Sequence, residues 1–493
     1  MIKIRKLLIL PVVLALSVIL TGCSGGSSSP RGEKLTLYWW RVIGDAGEET
    51  YEEIAKGFSS QNKSVQIEIV SKRPETYEEE AMSALAAHQS VENAPDIISI
   101  PAEDLPRFVP QLMPAPDDLF DRALSAKKKT GQSAIEYVRD NFEPIVGKTT
   151  VLNNASGEAK LYGLPIAVDT LALYINRDLL KEASESIETS SRYTKDKTRE
   201  EIKALSKKIQ TPPTTWEALA EIVPYLTVKD GDTITRAGIS LGTSKNVERS
   251  YDILSSIMMQ NGTQLTDNNL NSASFNLSQT GATTKSTPGE EALKFYLRFS
   301  NPSDPLYTWN DEMPNSVAAF LQGQLAILPH YASLYVHLIN EVPSLKRSID
   351  VSAFPQITDK TNLAGAQGQK VSGRMNVFAA PSAKNDPNRQ AASWAFINYL
   401  TSKTGSGPYL SAMKLPSALK AVDSKAKFDV FDEQKSIADT WYKGHKAMRV
   451  DEIFISMIDD AYTGRKSVLD TLDSASTSVT TILEASKSKW SGQ

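Results

Sequence analysis

The chain has only one cysteine and four histidines in 493 residues. A single thiol excludes an intrachain disulfide framework. His88, His330, His337 and His445 stand far apart, without the HExxH type of spacing that holds a metal, so no metal site is expected. A Gly-x-Ser-x-Gly elbow is missing, and so is a Walker loop; Gly365 to Gly368 is an isolated glycine pair. Serine-hydrolase chemistry and ATP binding therefore have no motif here, and no cofactor is expected. Neither sign of charge dominates. The 54 Lys+Arg against 58 Asp+Glu give a net −4, which argues against a broad nucleic-acid surface. What remains is an ordinary globular composition, 41% hydrophobic and 23% charged. The length predicts two or three domains, or one large two-lobed unit.

The long apolar run is at the start. Lys3, Arg5 and Lys6 precede Leu7 to Leu20, broken only by Pro11 and Ser17. As helix, that run is about 21 Å long, short of a hydrocarbon core of about 30 Å. It reads as a secretion signal rather than a permanent span. Leu20-Thr21-Gly22-Cys23 then resembles the bacterial lipobox, in which the thiol is acylated and the chain is cut before it. The only cysteine stands where such a signal needs one. Removing residues 1–22 takes away three positive charges and leaves the mature chain at −7. Residues 23–33, including Gly25 to Arg31 (GGSSSPR), are a flexible tether from Cys23. The expected location is the extracytoplasmic face of the cell membrane, held by acyl chains.

Along the mature chain, Leu35 to Trp40 and Val65 to Val70 have strand composition. Glu48 to Phe58 places Tyr51, Ile54, Ala55 and Phe58 on one helical face. Pro74 to His88 is a second helix, and Asp96 to Ile100 a buried strand. Strand, helix, strand, helix, strand implies a parallel, helix-covered sheet. Gly163 to Asn176 is two extended runs with a polar break at Asp169-Thr170. Glu182 to Gln210 is charged and poor in large apolar residues, which predicts a surface insertion with an exposed helix over Lys195 to Ile209. Thr215 caps a helix that begins at Trp216. Leu265 to Thr287 reads as a loop. Glu290 to Phe299 and Ser316 to Leu321 read as helices, Ala326 to Leu328 and Val351 to Phe354 as strands. Gly373 to Ala379 reads as one extended run. Pro387 to Leu400 is an amphipathic helix with Ala391, Trp394, Ala395, Asn398 and Tyr399 on its stripe. Asp429 to Ser486 reads as mostly helical, broken at Gly464.

Several blocks, in order, resemble the extracellular solute-binding proteins of ABC transporters, in particular the sugar-binding family that includes the maltose-binding protein. They are Leu35 to Trp40 with Gly44-Asp45, Ala94 to Ile98 (APDII), Tyr162 to Ile166 (YGLPI) with Asp169, and Leu173 to Leu180 (LYINRDLL). Pro213 to Glu217 (PTTWE), Phe320 to Ile327 with Pro329-His330-Tyr331, Ala380 to Lys384 and Ala391 to Leu400 complete the set. The ordered set, behind a lipobox, carries the resemblance over most of residues 34–490. Two departures stand out. Glu182 to Gln210 is longer than the family's usual connection there, and His330-Tyr331 replaces a tryptophan common in sugar-binding members.

The resemblance implies an α/β, two-lobed periplasmic-binding-protein-like fold of type II, with a hinged cleft between the lobes. Lobe one is expected at 34–167 and 372–416. Lobe two is expected at 169–353 and 420–490, with the insertion at about 182–210. It implies a non-enzymatic monomer that captures a carbohydrate and delivers it to ABC permease subunits. The alternatives are the same fold binding a peptide, polyamine or other polar solute, and an extracellular glycosidase, which needs two carboxylates about 5–5.5 Å or 6.5–9.5 Å apart.

A sugar offers apolar C–H faces and polar edges, so its site needs flat rings and carboxylates or Arg forks. Trp39 and Trp40 point to opposite faces of a strand, so one is expected in the core and one in the cleft, the competing reading being that both are core. Asp45 matches a ligand-contacting acid of the family, or is simply a turn residue. Glu103 and Asp104 follow a strand where the family has cleft residues; helix capping is the competing role. Asp169 sits at the predicted first lobe crossing and matches a ligand-facing acid. His330 and Tyr331 stand at the family's stacking position, with Tyr331 preferred. Arg374 can fork onto hydroxyls, or form a surface salt bridge. Trp309 and Trp441 are candidates that also fit a core.

Overall fold

The computed structural model describes residues 34–43, 46–87, 93–117, 131–189, 197–278, 286–358, 368–382, 386–420, 422 and 428–490, with side chains to 486. The residues expected to form the signal and the tether, Cys23 among them, and Asp45 lie outside the described residues.

Two sheets organise the chain. In the first, the order is Val65–Lys72, Leu35–Val42, Ile97–Pro101, Asn376–Pro381, Leu112–Met113, with Leu164–Pro165 also on Asn376–Pro381. The first three strands are parallel, because the helices Glu48–Gln61 and Pro74–Ala87 carry the chain back between them. Asn376–Pro381 returns antiparallel to Ile97–Pro101. In the second sheet, the order is Ala438–Asp439, Val371–Arg374, Asp169–Asn176, Leu325–Tyr331, Thr233–Ile239, Val228–Asp230. Ile349–Ala353 pairs with Asp169–Asn176 as well. All eight residues of Asp169–Asn176 are buried, as a central strand requires.

The chain passes between the sheets three times. The first passage lies between Leu164–Pro165 and Asp169, the second between Arg374 and Asn376, and the third after the helix Lys403–Met413. The second corrects two sequence expectations. Gly373 to Ala379 is not one run, since Val371–Arg374 pairs in the second sheet and Asn376–Pro381 in the first. The boundary expected at 372 therefore falls after Arg374. Gly373 makes this passage possible: a Cβ there would come within 2.9 Å of both Ala438 Cβ and Ile145 Cδ1.

Each lobe is centred on a tryptophan. Trp39 meets the edges of Tyr51, Phe378 and Phe396 at 5.3, 5.8 and 5.2 Å between ring centres. Trp216 meets Phe295 and Phe354 at 5.3 and 5.4 Å, and its indole N–H donates to Gln260 Oε1. In Pro387–Thr401 the buried face is Ser393, Trp394, Phe396, Ile397, Leu400 and Thr401, which shares only Trp394 with the expected stripe, because the helix lies against both the sheet and neighbouring helices. The insertion docks as a helix pair. Arg199–Gln210 packs on Arg177–Thr189 through Ile187, Ile202 and Ile209, with Ser184 Oγ 2.6 Å from Ser206 Oγ. Thr198 and Glu201 form a capping box at its start.

Candidate ligand-binding cleft

The two lobes face each other across a continuous cleft. One cavity in it, about 340 Å³, is lined from lobe one by Ala102, Glu103, Thr149, Ile166, Phe378 and Tyr409, and from lobe two by Asp169, Ser333, His337 and Arg374. A neighbouring cavity of about 680 Å³ shares Ala102, Glu103, Thr149 and Thr440 with it. A small recess of about 40 Å³ behind them is lined by Arg249, Tyr251, Asp252, Tyr331 and Lys443.

Asp169 opens the central strand of lobe two directly after the first crossing, opposite Arg374 in register. Arg374 Nε donates to Asp169 Oδ2 at 3.1 Å, and Arg374 Nη2 donates to Ser333 Oγ at 2.8 Å. The Ser333 N–H donates to Asp169 Oδ1 at 3.2 Å. The guanidinium lies 4.1 Å from the Tyr331 ring centre. An arginine is thus held over an aromatic ring at the wall of the cavity.

The second cluster forms around Lys443, whose side chain is 4% exposed. Its ammonium lies 3.1 Å from Glu103 of lobe one and 2.6 Å from Asp451 of lobe two. Burial opposes the charge on Lys443, but Glu103, Asp451 and Asp252 together hold its pKa well above the ordinary value. Lys443 in turn holds the Glu103 carboxyl below the usual carboxylate range. One ammonium cannot neutralise all the carboxylates around it. Burial therefore pushes Asp252 up, and raises Asp451 to about 7. Burial and then Glu103 likewise raise Asp104 to about 7. Arg249 enters the same recess from a left-handed residue, φ 62°, that starts the helix Ser250–Gln260; its guanidinium donates to Tyr251 Oη at 2.9 Å. Non-glycine residues held in this region concentrate at functional sites.

The structure brings Glu103, Asp169, Tyr331 and Arg374 to the cleft, with Asp104 beside Glu103. Asp104 precedes the helix Leu105–Phe108 without a side-chain capping bond. Trp39 and Trp40 do not reach the cleft. Their strand lies inside a sheet covered on both faces, so alternation sends one to each buried face. The Trp40 indole N–H donates to Asn93 O, and Lys72 lies over its ring. Trp309 is core as well, its indole N–H donating to Thr243 Oγ1 and Asn246 Oδ1. His330 is turned by strand alternation onto Glu248 at 3.4 Å, away from the cavities, and burial lowers its pKa. Trp441 lines the neighbouring cavity and the recess.

Lys443, Asp451, Arg249, Tyr251 and Asp252 were not among the sequence candidates. The stretch read as helical is interrupted between Asp439 and Ala447, where Gly444 takes φ 73°. A glycine inside Trp441-Tyr442-Lys443-Gly444-His445 was the available signal for a loop. Among the described residues, no His/Cys/Asp/Glu group is arranged to hold a metal, and no helix is long and apolar enough to cross a membrane.

A family model described as bacterial extracellular solute-binding protein matches residues 53–433. The chain belongs to this family. This solute-binding protein thus works outside the cytoplasm, as a non-catalytic family of transport components does. No curated protein matches the sequence. Among solved structures, it resembles the GacH receptor of Streptomyces glaucescens at 17% identity and TM-score 0.63, covering 92% of this chain and 99% of that one. The cyclic α-maltosyl-1,6-maltose binding protein of Arthrobacter globiformis shows 15% identity and TM-score 0.66, over 92% and 100% of the two chains. The sugar-binding protein MalE of Xanthomonas citri shows 18% identity and TM-score 0.65, over 92% and 98%. At such identities the likeness shows the fold: two α/β lobes around a cleft.

Proposed function

We propose that the protein captures a neutral carbohydrate between its lobes and delivers it to the membrane subunits of an ABC importer, acting as a monomer tethered by acylated Cys23. One observation carries the choice of ligand: the charged groups of the cleft are paired with one another. Arg374 pairs with Asp169, Lys443 with Glu103 and Asp451, and Arg249 lies beside Asp252. Such a site keeps charge-assisted hydrogen bonds for hydroxyls and offers an acidic peptide no unpaired cation, while burial pushes Asp104 and Asp252, the carboxylates in excess, toward their neutral forms rather than leaving them charged for a polyamine. Tyr331, Tyr251, Tyr409 and Trp441 supply ring surfaces. The description of the GacH receptor with acarbose supports the same reading.

A ligand touching both lobes binds the closed arrangement better and shifts the population toward it. Glu103 from lobe one and Asp169 from lobe two line one cavity, so a single ligand reaches both. The test is thermal-shift screening of the purified protein with saccharides, peptides and polyamines, followed by calorimetry. A saccharide at 100 times its Kd stabilises the fold by about 2.7 kcal/mol. It is recovered unaltered, without release of reducing sugar. A response confined to peptides or amines overturns this reading.

A further inference from the structure

The network around Lys443 is built from both lobes. Glu103 and Asp104 come from lobe one, just before the helix Leu105–Phe108. Lys443, Asp451 on the helix Ala447–Tyr462, and Asp252 on the helix Ser250–Gln260 come from lobe two. Glu103, Asp252 and Lys443 line the recess of about 40 Å³ together. The Lys443 ammonium stands between the lobes, 3.1 Å from Glu103 and 2.6 Å from Asp451.

Charge around this point does not balance. Arg374 is held by Asp169 and Ser333, and Arg249 lies beside Asp252 and donates to Tyr251. Lys148 and Lys370 are taken by Asp439, Arg107 by Glu78, and Arg449 by Glu452. Among the described residues, Lys443 is the cation that acts on both Asp104 and Asp451. Glu103, Asp104 and Asp451 are thus three carboxylates for one ammonium. Burial first, and then the neighbouring carboxylates, raise Asp104 and Asp451 to about 7. Part of that repulsion runs from lobe to lobe: Asp451 raises Asp104, and Glu103 raises Asp451.

We propose that protonation of Asp104 and Asp451 closes the cleft, which makes lobe closure a pH-dependent switch whatever the solute captured. Glu103 and Lys443 keep their charges, since each holds the other in its ionised form, and they attract across the gap at every pH near neutral. The protons remove the repulsion that opposes this attraction. Hinge opening relieves the conflict another way. Glu103 and Asp104 leave with lobe one, Asp451 keeps Lys443 to itself, and water reaches the carboxylates. Both carboxyl groups then return toward their ordinary value of 3.8. The closed form therefore binds the extra protons, gains on the open form as pH falls through about 7, and loses as pH rises. A group that makes the full change shifts the balance about tenfold between about pH 8 and about pH 6.

Fluorescence energy transfer in the purified, ligand-free protein reads closure directly. Dyes are carried by Lys56→Cys on lobe one and Lys181→Cys on lobe two, both exposed helix positions, with Cys23→Ser removing the native thiol. The closed-to-open ratio is expected to rise at least about fivefold from about pH 8 to about pH 6. Asp104→Asn with Asp451→Asn, neutral at every pH, is expected to keep the lobes closed at the higher pH and to flatten the response. Each single substitution is expected to leave part of it. Transfer that stays constant over this range in the parent overturns the proposal, a result that needs no substitution in the cluster. So does opening as pH falls. A response in the double variant as large as the parent's overturns it too, and assigns the titration to His330, His337 or His445.

Discussion

Lys443→Met removes one charge and keeps nearly all of the packing. The ammonium lies 3.1 Å from Glu103 and 2.6 Å from Asp451. At an effective dielectric of about 20, these are gross attractions of about 5 and about 6 kcal/mol. Desolvation of the buried ions offsets much of this, and breaking such a pair from one side costs about 3–5 kcal/mol. Glu103 is 37% exposed and regains water, which favours the lower end, about 3 kcal/mol. For lobes of this size, that loss lowers Tm by roughly 6–12 °C. The orphaned carboxylates recover by taking up protons, so the deficit is larger at about pH 8 than at about pH 5.5. Adding Glu103→Gln to Lys443→Met removes one orphan and restores part of the loss. Differential scanning calorimetry reads all of this directly. A Tm within about 2 °C of the parent, or an equal deficit at both pH values, refutes the view that Lys443 ties the lobes through charge.

Asp169→Asn, which keeps the side-chain volume but weakens the hold on Arg374, should raise the Kd for the captured sugar about tenfold by calorimetry; an unchanged Kd takes Asp169 out of the site. Gly373→Val forces a side chain against Ala438 and Ile145 and should destabilise by about 1–3 kcal/mol in thermal melts, whereas an unchanged melt would mean that the crossing has room to spare. Asp104 has a folded pKa of about 7, above its unfolded value of 3.8, so the native state binds the extra proton. Its contribution is therefore favourable at low pH and declines as pH rises through about 7. Asp104→Asn should flatten that part of the Tm–pH profile, and a profile of unchanged slope counts against its burial.

Local structure was largely readable from the chain. Glu48–Gln61 buries Tyr51, Ile54, Ala55 and Phe58, the face its spacing predicts, because helix periodicity depends only on neighbours in sequence. The parallel start of the first sheet follows from the same order of strands and helices. Asp169 and Tyr331 were legible because they sit at strand ends flanked by recognisable blocks. One of the two tryptophans of Leu35–Val42 was misplaced in the cleft, since alternation says which face a side chain takes but not whether a second layer covers that face. Gly373 to Ala379 looked continuous because nothing local records that Gly373 and Asn376 find partners in different sheets.

The sequence by itself determined most of the elements and their order, which are properties of contiguous residues. Only the tertiary structure decided the cleft chemistry. Asp169 meets Arg374 across 205 positions, and Glu103 meets Lys443 across 340. Those encounters depend on strand pairing and on three chain crossings, whose energies come from burial summed over both lobes. No periodicity within either segment carries that information.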